Sequence, residues 1–515
     1  MLLARTAEKG FTPGYQRHKP EQTLLYQIIE HYYPEFQALM EAQNRPLPKY
    51  VQQEFDEYLK CGRLEYGFLR VRCESCHDEK LVAFSCKRRG FCPSCGARRM
   101  ADSAALLVDE ILPEQPIRQF TPWMACSRAM QEQLPRVLSF PFQLRFLFAS
   151  YPEIMGKVLG IVNRVLSTHL IHKAGFTRAM AQTGAVTLIQ RFGSALNLNV
   201  HFHMLLLDGV YAVDRYGKIR FHRAKAPELK ELTQLVHTIS LRVARFLERR
   251  GLLERDDEDS YLTLDCLDDE PMHELHGHAI TYRIALGSQQ GQKVFTLQTI
   301  PPSKAESSVS TRVANIAGFS LHAGVAAEAY QRDKLERLCR YISRPAVSEN
   351  RLTALSNGNI RYQLKTPYRN GTTHVIFEPL DFIAKLAALI PKPRVNLTRF
   401  HGVFAPNSKW REQVTPAKRG KTKKLPEEEG SEKSPVERHA AMTWAQRLKR
   451  VFDIDIETCN ECGGAVKVIA CIEDPIVIKK ILTYLKRQKS GLRTIKSELS
   501  LLPEERAPPL DSLFT

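Results

Sequence analysis

Hydrophobic positions along this chain recur in two rhythms, and the rhythms divide it into elements. Residues 20–59 keep helical spacing, with Leu24, Leu25, Ile28, Ile29 and Tyr32 on one stripe and Phe55, Tyr58 and Leu59 on a later one. A helix opens the stretch 105–150. An apolar strand at 137–140 and helices at about 142–148 and 153–173 follow. Residues 184–192 are β-branched and apolar, and Gly193-Ser194 turns that strand into 198–208. There the alternation is strict. Leu198, Val200, Phe202, Met204 and Leu206 point one way, Asn199, His201 and His203 the other.

Residues 210–213 and 218–221 form a hairpin, and 226–251 an amphipathic helix with acidic stretches after it at 255–259 and 265–270. Residues 282–286 and 293–299 pair across Gly287 to Gly291. Helical spacing returns over 321–342, where Val325, Ala329, Leu335, Leu338 and Ile342 make the core side and Lys334, Arg337 and Tyr341 a second stripe. Pro345 stops this helix. Strands at 360–364 and 373–377 and a helix at 381–390 come next. Residues 411–438 form a charged linker with too little apolar surface for a core. From Met442 a basic amphipathic helix, a cysteine turn and a helix capped by Asp474-Pro475 close the sequence. Strands meeting through short turns, with helices between, give an α+β chain.

Its 515 residues allow two to four domains. Seventy-four Lys and Arg against 56 Asp and Glu leave a formal charge of +18, which points to a polyanionic partner, most simply nucleic acid. An anionic membrane surface is the competing partner for such charge. No apolar run of about 18 residues stands out, so no spanning helix is expected, and DNA rather than a membrane is the expected partner. The opening residues are too short for a secretory signal. Twelve cysteines without an export signal imply a reducing compartment, where close cysteine pairs mean metal before disulfide.

The cysteines cluster. Cys73-Glu-Ser-Cys76 and Cys92-Pro-Ser-Cys95 have the spacing of a zinc ribbon, in which each pair sits on a tight turn and four thiolates close a tetrahedron. Cys61, His77 and Cys86 are spare, candidates to replace a pair member or to bind a second ion. Cys459-Asn-Glu-Cys462-Gly-Gly464, with Cys471 nearby, is a second knuckle whose fourth ligand is not evident. Lys87, Arg88, Arg89, Arg98 and Arg99 surround the first cysteine block with no acid among them, and Phe91 lies inside the run. Such a platform suits phosphates and a stacked base.

On a strand, residues i and i+2 share a side, so His201 and His203 present two imidazoles to one divalent cation. His273-Glu-Leu-His276-Gly-His278 is one residue short of the H-E-x-x-H motif and reads as a solvated loop. Tyr341 ends its helix among Arg337, Arg340 and Arg344. A phenolate supported by cations beside a metal site is a competent nucleophile on phosphorus.

Taken together, Phe84-Ser-Cys-Lys-Arg-Arg-Gly-Phe-Cys-Pro-Ser-Cys-Gly-Ala-Arg-Arg99, Val200-His-Phe-His-Met204 and Arg340-Tyr-Ile-Ser-Arg-Pro345 resemble the rolling-circle transposases of bacterial insertion sequences. Met442-Thr-Trp-Ala-Gln-Arg-Leu-Lys-Arg450 and Ile469-Ala-Cys-Ile-Glu-Asp-Pro475 agree. Within the HUH nuclease superfamily the likeness is to the insertion-sequence-ninety-one family, on its common-region side. The resemblance implies an HUH-type antiparallel sheet nuclease core at 105–405. Around it come a helical segment at 1–45, a zinc-binding DNA-binding module at 46–104, a linker at 406–440, a C-terminal cysteine module at 441–490 and a tail at 491–515. It implies Mg²⁺ or Mn²⁺ on His201 and His203 with a third ligand, for which His322 and Glu336 are candidates, and Zn²⁺ on the cysteines. Tyr341 would attack single-stranded DNA at the element's ends, giving a 5′-phosphotyrosine and a free 3′-OH before transfer to target DNA, in the bacterial cytoplasm at the nucleoid. Many relatives carry a second tyrosine four residues before the first. Position 337 is Arg here, which resembles the single-tyrosine branch. Residues 121–136 look like an insertion relative to that family. A non-catalytic zinc-dependent DNA-binding protein and a replication initiator share parts of this pattern.

Overall fold

The computed structural model of the chain describes residues 19–122, 140–255, 260–262, 270–300, 313–316, 318–368, 370–418 and 457–495. Most of the apparent insertion, of the strand at 137–140, of both acidic stretches and of the linker, and the helix from Met442, lie outside these residues.

In chain order the helices are α1 (Leu24–Ala42), α2 (Lys49–Lys60), α3 (Pro93–Ala105), α4 (Phe142–Ser150), α5 (Pro152–Lys173) and α6 (Leu229–Glu248). After them come α7 (Met272–Thr281), α8 (Arg332–Ile342), α9 (Pro379–Leu389), the single turn α10 (Arg411–Val414) and α11 (Pro475–Ile495). The first strands are β1 (Phe68–Cys73), β2 (Glu79–Ala83), β3 (Ile117–Pro122), β4 (Ala181–Gln182), β5 (Gly184–Phe192) and β6 (Leu198–Leu207). Next are β7 (Gly209–Val213), β8 (Ile219–Arg223), β9 (Glu254–Arg255), β10 (Ser260–Tyr261), β11 (Phe295–Gln298) and β12 (Val313–Ile316). The last are β13 (Phe319–Ala327), β14 (Leu352–Ala354), β15 (Ile360–Gln363), β16 (Thr372–Phe377), β17 (Thr398–Gly402) and β18 (Val466–Ile472). Every pairing among them is antiparallel, and helices and sheets mix along the chain, an α+β architecture.

Two units share the described residues. The larger takes Glu21–Leu59 and residues 87–418; the smaller takes Lys60–Cys86 and residues 457–495.

At the centre of the larger unit is a six-stranded sheet, in the order β12-β13-β3-β6-β5-β17. All ten residues of β6 are buried, so its two faces meet two separate cores rather than core and solvent. On one face Phe202 meets Phe140 at 5.1 Å and Phe148 of α4 at 6.1 Å between ring centroids. On the other, Leu205 and Leu207 join Val186 and Leu188 of β5 under Leu335, Cys339 and Ile342 of α8. Each such side chain contributes roughly 1.5–3 kcal/mol when fully buried. The alternation read from the sequence is therefore real, but its polar side is also covered.

The structure differs from the sequence expectation over 321–342. Residues 319–327 form β13, paired with β3 and β12, and only Arg332–Ile342 is helix. Leu321, Val325 and Ala329 fit both rhythms. Gly324 weakens the helical choice, and pairing with β12 on one side and β3 on the other decides the outcome. Tyr330, 81% exposed, lies in the turn between them. Residues 20–59 are two helices, broken where Asn44 takes φ 56° before Pro46 and Pro48. Only a single bridge, Arg283 to Lys293, joins 282–286 to its expected partner; Phe295–Gln298 pairs with β16 instead. The stretch His273 to His278 is not a solvated loop but part of α7. Met272, Leu275, Ala279 and Ile280 supply its buried stripe, and His276 Nδ1 lies 3.3 Å from Ser150 Oγ. One described helix, α5, is long and apolar enough by length and composition to cross a membrane. Its Val158, Leu159, Val162 and Leu166 are buried in the fold instead.

In the smaller unit β1 lies between β18 and β2. Residues 46–104 and 441–490 read as separate modules in the sequence. However, β1 pairs with β18 from Phe68 opposite Ile472 to Cys73 opposite Val466, so both supply one sheet. Phe68 packs with Ile478 and Ile481 of α11 beneath it.

Candidate active site and thiolate cluster

The strict alternation of β6 sets His201 and His203 on the α8 side of the sheet. Their Nε2 atoms stand 3.1 Å apart. The outer nitrogens are both held: His201 Nδ1 is 2.7 Å from the Asn199 carbonyl, and His203 Nδ1 is 2.9 Å from the Gln119 amide. Gln119 reaches His203 because β3 sets it opposite Leu205, two residues along β6 on the same face. Both rings are almost fully buried. Burial pushes His201 down to about 4, against the pull of the Asn199 carbonyl and with help from Arg145 and Arg344. Burial, then the charges of His201 and Arg344, hold His203 well below the usual histidine range. Both imidazoles are neutral at physiological pH, which is the ligand form.

The last turn of α8 lies over this face. Gln190, opposite His201 on β5, donates through Nε2 to the Ile342 carbonyl at 3.2 Å. Tyr341 is half-buried against the α8-side core. Two cations flank its ring: Lys365 Nζ at 4.7 Å and the Arg344 guanidinium at 5.4 Å from the centroid. Arg344 also covers Phe192 at 5.2 Å, and among the described residues its buried Nε has no hydrogen-bond partner. Arg340 is committed to Glu336 at 2.8 Å, and Arg337 is exposed. Neither His322 nor Glu336 joins the histidines. Among the described residues no third His, Cys, Asp or Glu completes a cluster with them, and His322 Nε2 accepts from Gly324 N on β13.

The cysteines regroup. Cys73 and Cys76 do not share four-thiolate geometry with Cys92 and Cys95. They meet Cys459 and Cys462 in the smaller unit, all four Sγ atoms lying within 4.8 Å of one another. Cys73 Sγ is 3.5 Å from Cys462 Sγ, and Cys76 Sγ is 3.5 Å from Cys459 Sγ. The reason is the β1–β18 register, which carries the two knuckles to the same sheet end. Gly464 is required there: a Cβ would stand 2.4 Å from Ser75 Oγ and 3.0 Å from Cys73 Sγ. Cys471, on β18, is exposed and outside the cluster, its Sγ 3.6 Å from Glu473 Oε1. Elsewhere in the smaller unit Cys86 N donates to Cys61 Sγ at 3.3 Å. In the larger unit Cys92 stands at the N-cap position of α3, and Cys95 sits in its first turn.

A family model described as "Putative transposase" matches residues 184–411, which carry His201, His203 and Tyr341. A second, described as "Transposase zinc-binding domain", matches residues 28–121. Between them they take in more than half of the chain.

The two matches support an IS91-like transposase.

No curated protein and no solved structure matches it. The zinc-domain match and the clustered cysteines support Zn²⁺ in this transposase.

The basic run of the transposase is less one-sided in space than in sequence. Glu54, buried on α2, accepts from Gly90 N at 2.5 Å. Burial raises its carboxyl, while that N–H and the charges of Arg88, Arg99 and Arg89 oppose the rise. Arg89 donates to the Val395 carbonyl at 2.6 Å and Arg99 to the Arg88 carbonyl at 2.7 Å. Phe91 is not free to stack a base: it is buried against Phe55 at 4.8 Å and Tyr58 at 5.2 Å. Lys87 and Arg89 are exposed, Arg88 is half-buried, and burial lowers Arg98.

Sequence reasoning missed Gln119, Gln190 and Lys365. A glutamine inside the apolar strand 184–192 was the visible signal for Gln190; Gln119, in the mixed run Ile117-Arg-Gln-Phe120, carried none. Lys365 follows β15, far from the tyrosine in sequence, and carries no local signal.

Proposed function

We propose that this transposase is an HUH-type tyrosine nuclease that cuts and rejoins single-stranded DNA at the ends of its mobile element. One observation carries the reading: two neutral histidine Nε2 atoms 3.1 Å apart share a sheet face with the helix end that bears Tyr341 and Arg344.

The histidine pair fits a divalent cation. Cis ligands about 2.1 Å from an octahedral Mg²⁺ stand about 3 Å apart, and both Nδ1 atoms are already engaged. His201 and His203 would hold Mg²⁺ or Mn²⁺, which when bound polarises a phosphate oxygen. The phenol of Tyr341 gives up its proton and its oxygen bonds to phosphorus. The P–O3′ bond breaks, and the departing oxygen takes a proton to become a free 3′-OH, leaving a 5′-phosphotyrosine. Arg344 and Lys365 supply positive charge beside the Tyr341 ring, where it would stabilise the crowded phosphate. Lys87, Arg88, Arg98 and Arg337 would hold the flanking strand through its phosphates. Cysteines within the matched region 28–121 would supply the thiols for the zinc of that domain.

The test is incubation of the purified chain with single-stranded DNA from the element's own ends, with and without Mn²⁺. A covalent adduct that needs Mn²⁺ and that Tyr341→Phe abolishes is the expected result. An adduct that survives Tyr341→Phe overturns the assignment.

A further inference from the structure

We infer that Cys73, Cys76, Cys459 and Cys462 form a zinc site whose ligands come half from each end of the chain. The transposase zinc-binding match ends at residue 121 and assigns nothing to the second pair.

The geometry fits the ion. Thiolates about 2.3 Å from a tetrahedral zinc stand about 3.8 Å apart, and here both cross-knuckle Sγ pairs are at 3.5 Å. That is far beyond the roughly 2.05 Å of a disulfide, and these four cysteines form none. Both knuckles carry the backbone N–H to sulfur bonds that stabilise thiolates: Ser75 N to Cys73 Sγ and Gly464 N to Cys462 Sγ, each at 3.4 Å. The two turns are also tied to each other. Glu74 N donates to the Ala465 carbonyl at 2.9 Å, and Lys467 pairs with Glu74. Gly463 takes φ 74° in the second turn, the conformation that lets Cys462 fold back over Cys459.

The consequence is that residues 73–76 and 459–462 load one ion or none. The N-terminal knuckle, read alone, has two ligands, and so has the C-terminal one.

The test uses the full chain in two measurements. In the first, zinc content and the sulfur-to-cobalt absorption of the cobalt-substituted protein are compared for wild type, Cys459→Ser, Cys462→Ser and Cys471→Ser. The first two substitutions are expected to lose one equivalent of zinc per chain together with the four-sulfur cobalt signature of this site. Cys471→Ser is expected to match wild type. Unchanged zinc and cobalt spectra in Cys459→Ser overturn the assignment. The second measurement needs no variant and so survives any folding defect. Alkylation of the wild-type chain, mapped by mass spectrometry before and after chelation, should expose Cys73, Cys76, Cys459 and Cys462 together. Modification of Cys459 and Cys462 at one rate with and without chelator, or fewer titratable thiols owing to a disulfide among the four, overturns it.

Discussion

Replacing Gln119 by Leu tests the reading of the histidine pair without touching either ring. Gln119 is 5% exposed, and its amide is 2.9 Å from Nδ1 of His203, itself 1% exposed. Leu fills nearly the same volume but leaves that nitrogen without a partner, a loss of about 1–3 kcal/mol for a buried polar atom. The fold should tolerate this. The cation site should not. A metal-ligating imidazole needs its lone pair on Nε2, so its proton must sit on Nδ1 and face an acceptor. The Gln119 amide, turned about its last bond, presents its oxygen to that proton. Losing such a support lowers metal affinity about 10–100-fold. Gln119→Glu can only accept and should retain affinity at or above wild type. Calorimetric Mn²⁺ titrations on preparations whose urea midpoints are also measured separate the two effects. Wild-type Mn²⁺ affinity in a folded Gln119→Leu chain would refute the reasoning. Equal losses in the Leu and Glu variants would do so too, because packing rather than the proton's position would then be at fault.

Tyr341→Phe should leave stability within about 0.5 kcal/mol, as expected for a change away from the fully buried core, and abolish the DNA adduct; denaturation and gel assays on one sample check both. Arg118 holds Asp208 through two contacts, at 2.8 and 2.6 Å, and also donates to the Ala323 carbonyl at 2.9 Å. Arg118→Met should cost about 3–5 kcal/mol by stranding a buried carboxylate, and Arg118→Met with Asp208→Leu should recover much of it. Burial, aided by the charge of Arg399, brings His401 down to about 4. Its folded value thus lies below the ordinary 6.5, so its contribution to stability is present above about pH 6.5 and lost as pH falls through about 4. The loss is on the order of 3 kcal/mol, and the unfolding midpoint of His401→Gln should fall less steeply across that window.

What could be read from the sequence followed from local pattern. The β6 alternation fixed which residues share a face with His201, because period two leaves no other arrangement. The amphipathic helix at 229–248 and the cap of α11, where Asp474 Oδ1 accepts from Ile476 N and Val477 N, were legible in the same way. Pattern failed where two periods coincide, as over 319–327, and where pairing is long-range. Cys73 and Cys76 have a plausible partner pair sixteen residues on, and spacing alone favours it. Only the register of β1 against β18 reveals partners 383 to 389 residues away. Gln119 and Lys365 were opaque for a related reason: each acts on a residue that the sheet, not the sequence, brings near.

That register also orders events during synthesis. Every described strand and helix of the larger unit precedes residue 419, so that part can form while the rest of the chain is still being translated. The smaller sheet cannot. From the appearance of Cys76 until β18 emerges, β1 keeps one edge open and its two thiols wait for partners. A chain interrupted anywhere in that interval would present a bare strand edge beside reactive thiols. A transposase copy shortened at its far end would therefore lose the metal from a knuckle whose own residues are intact.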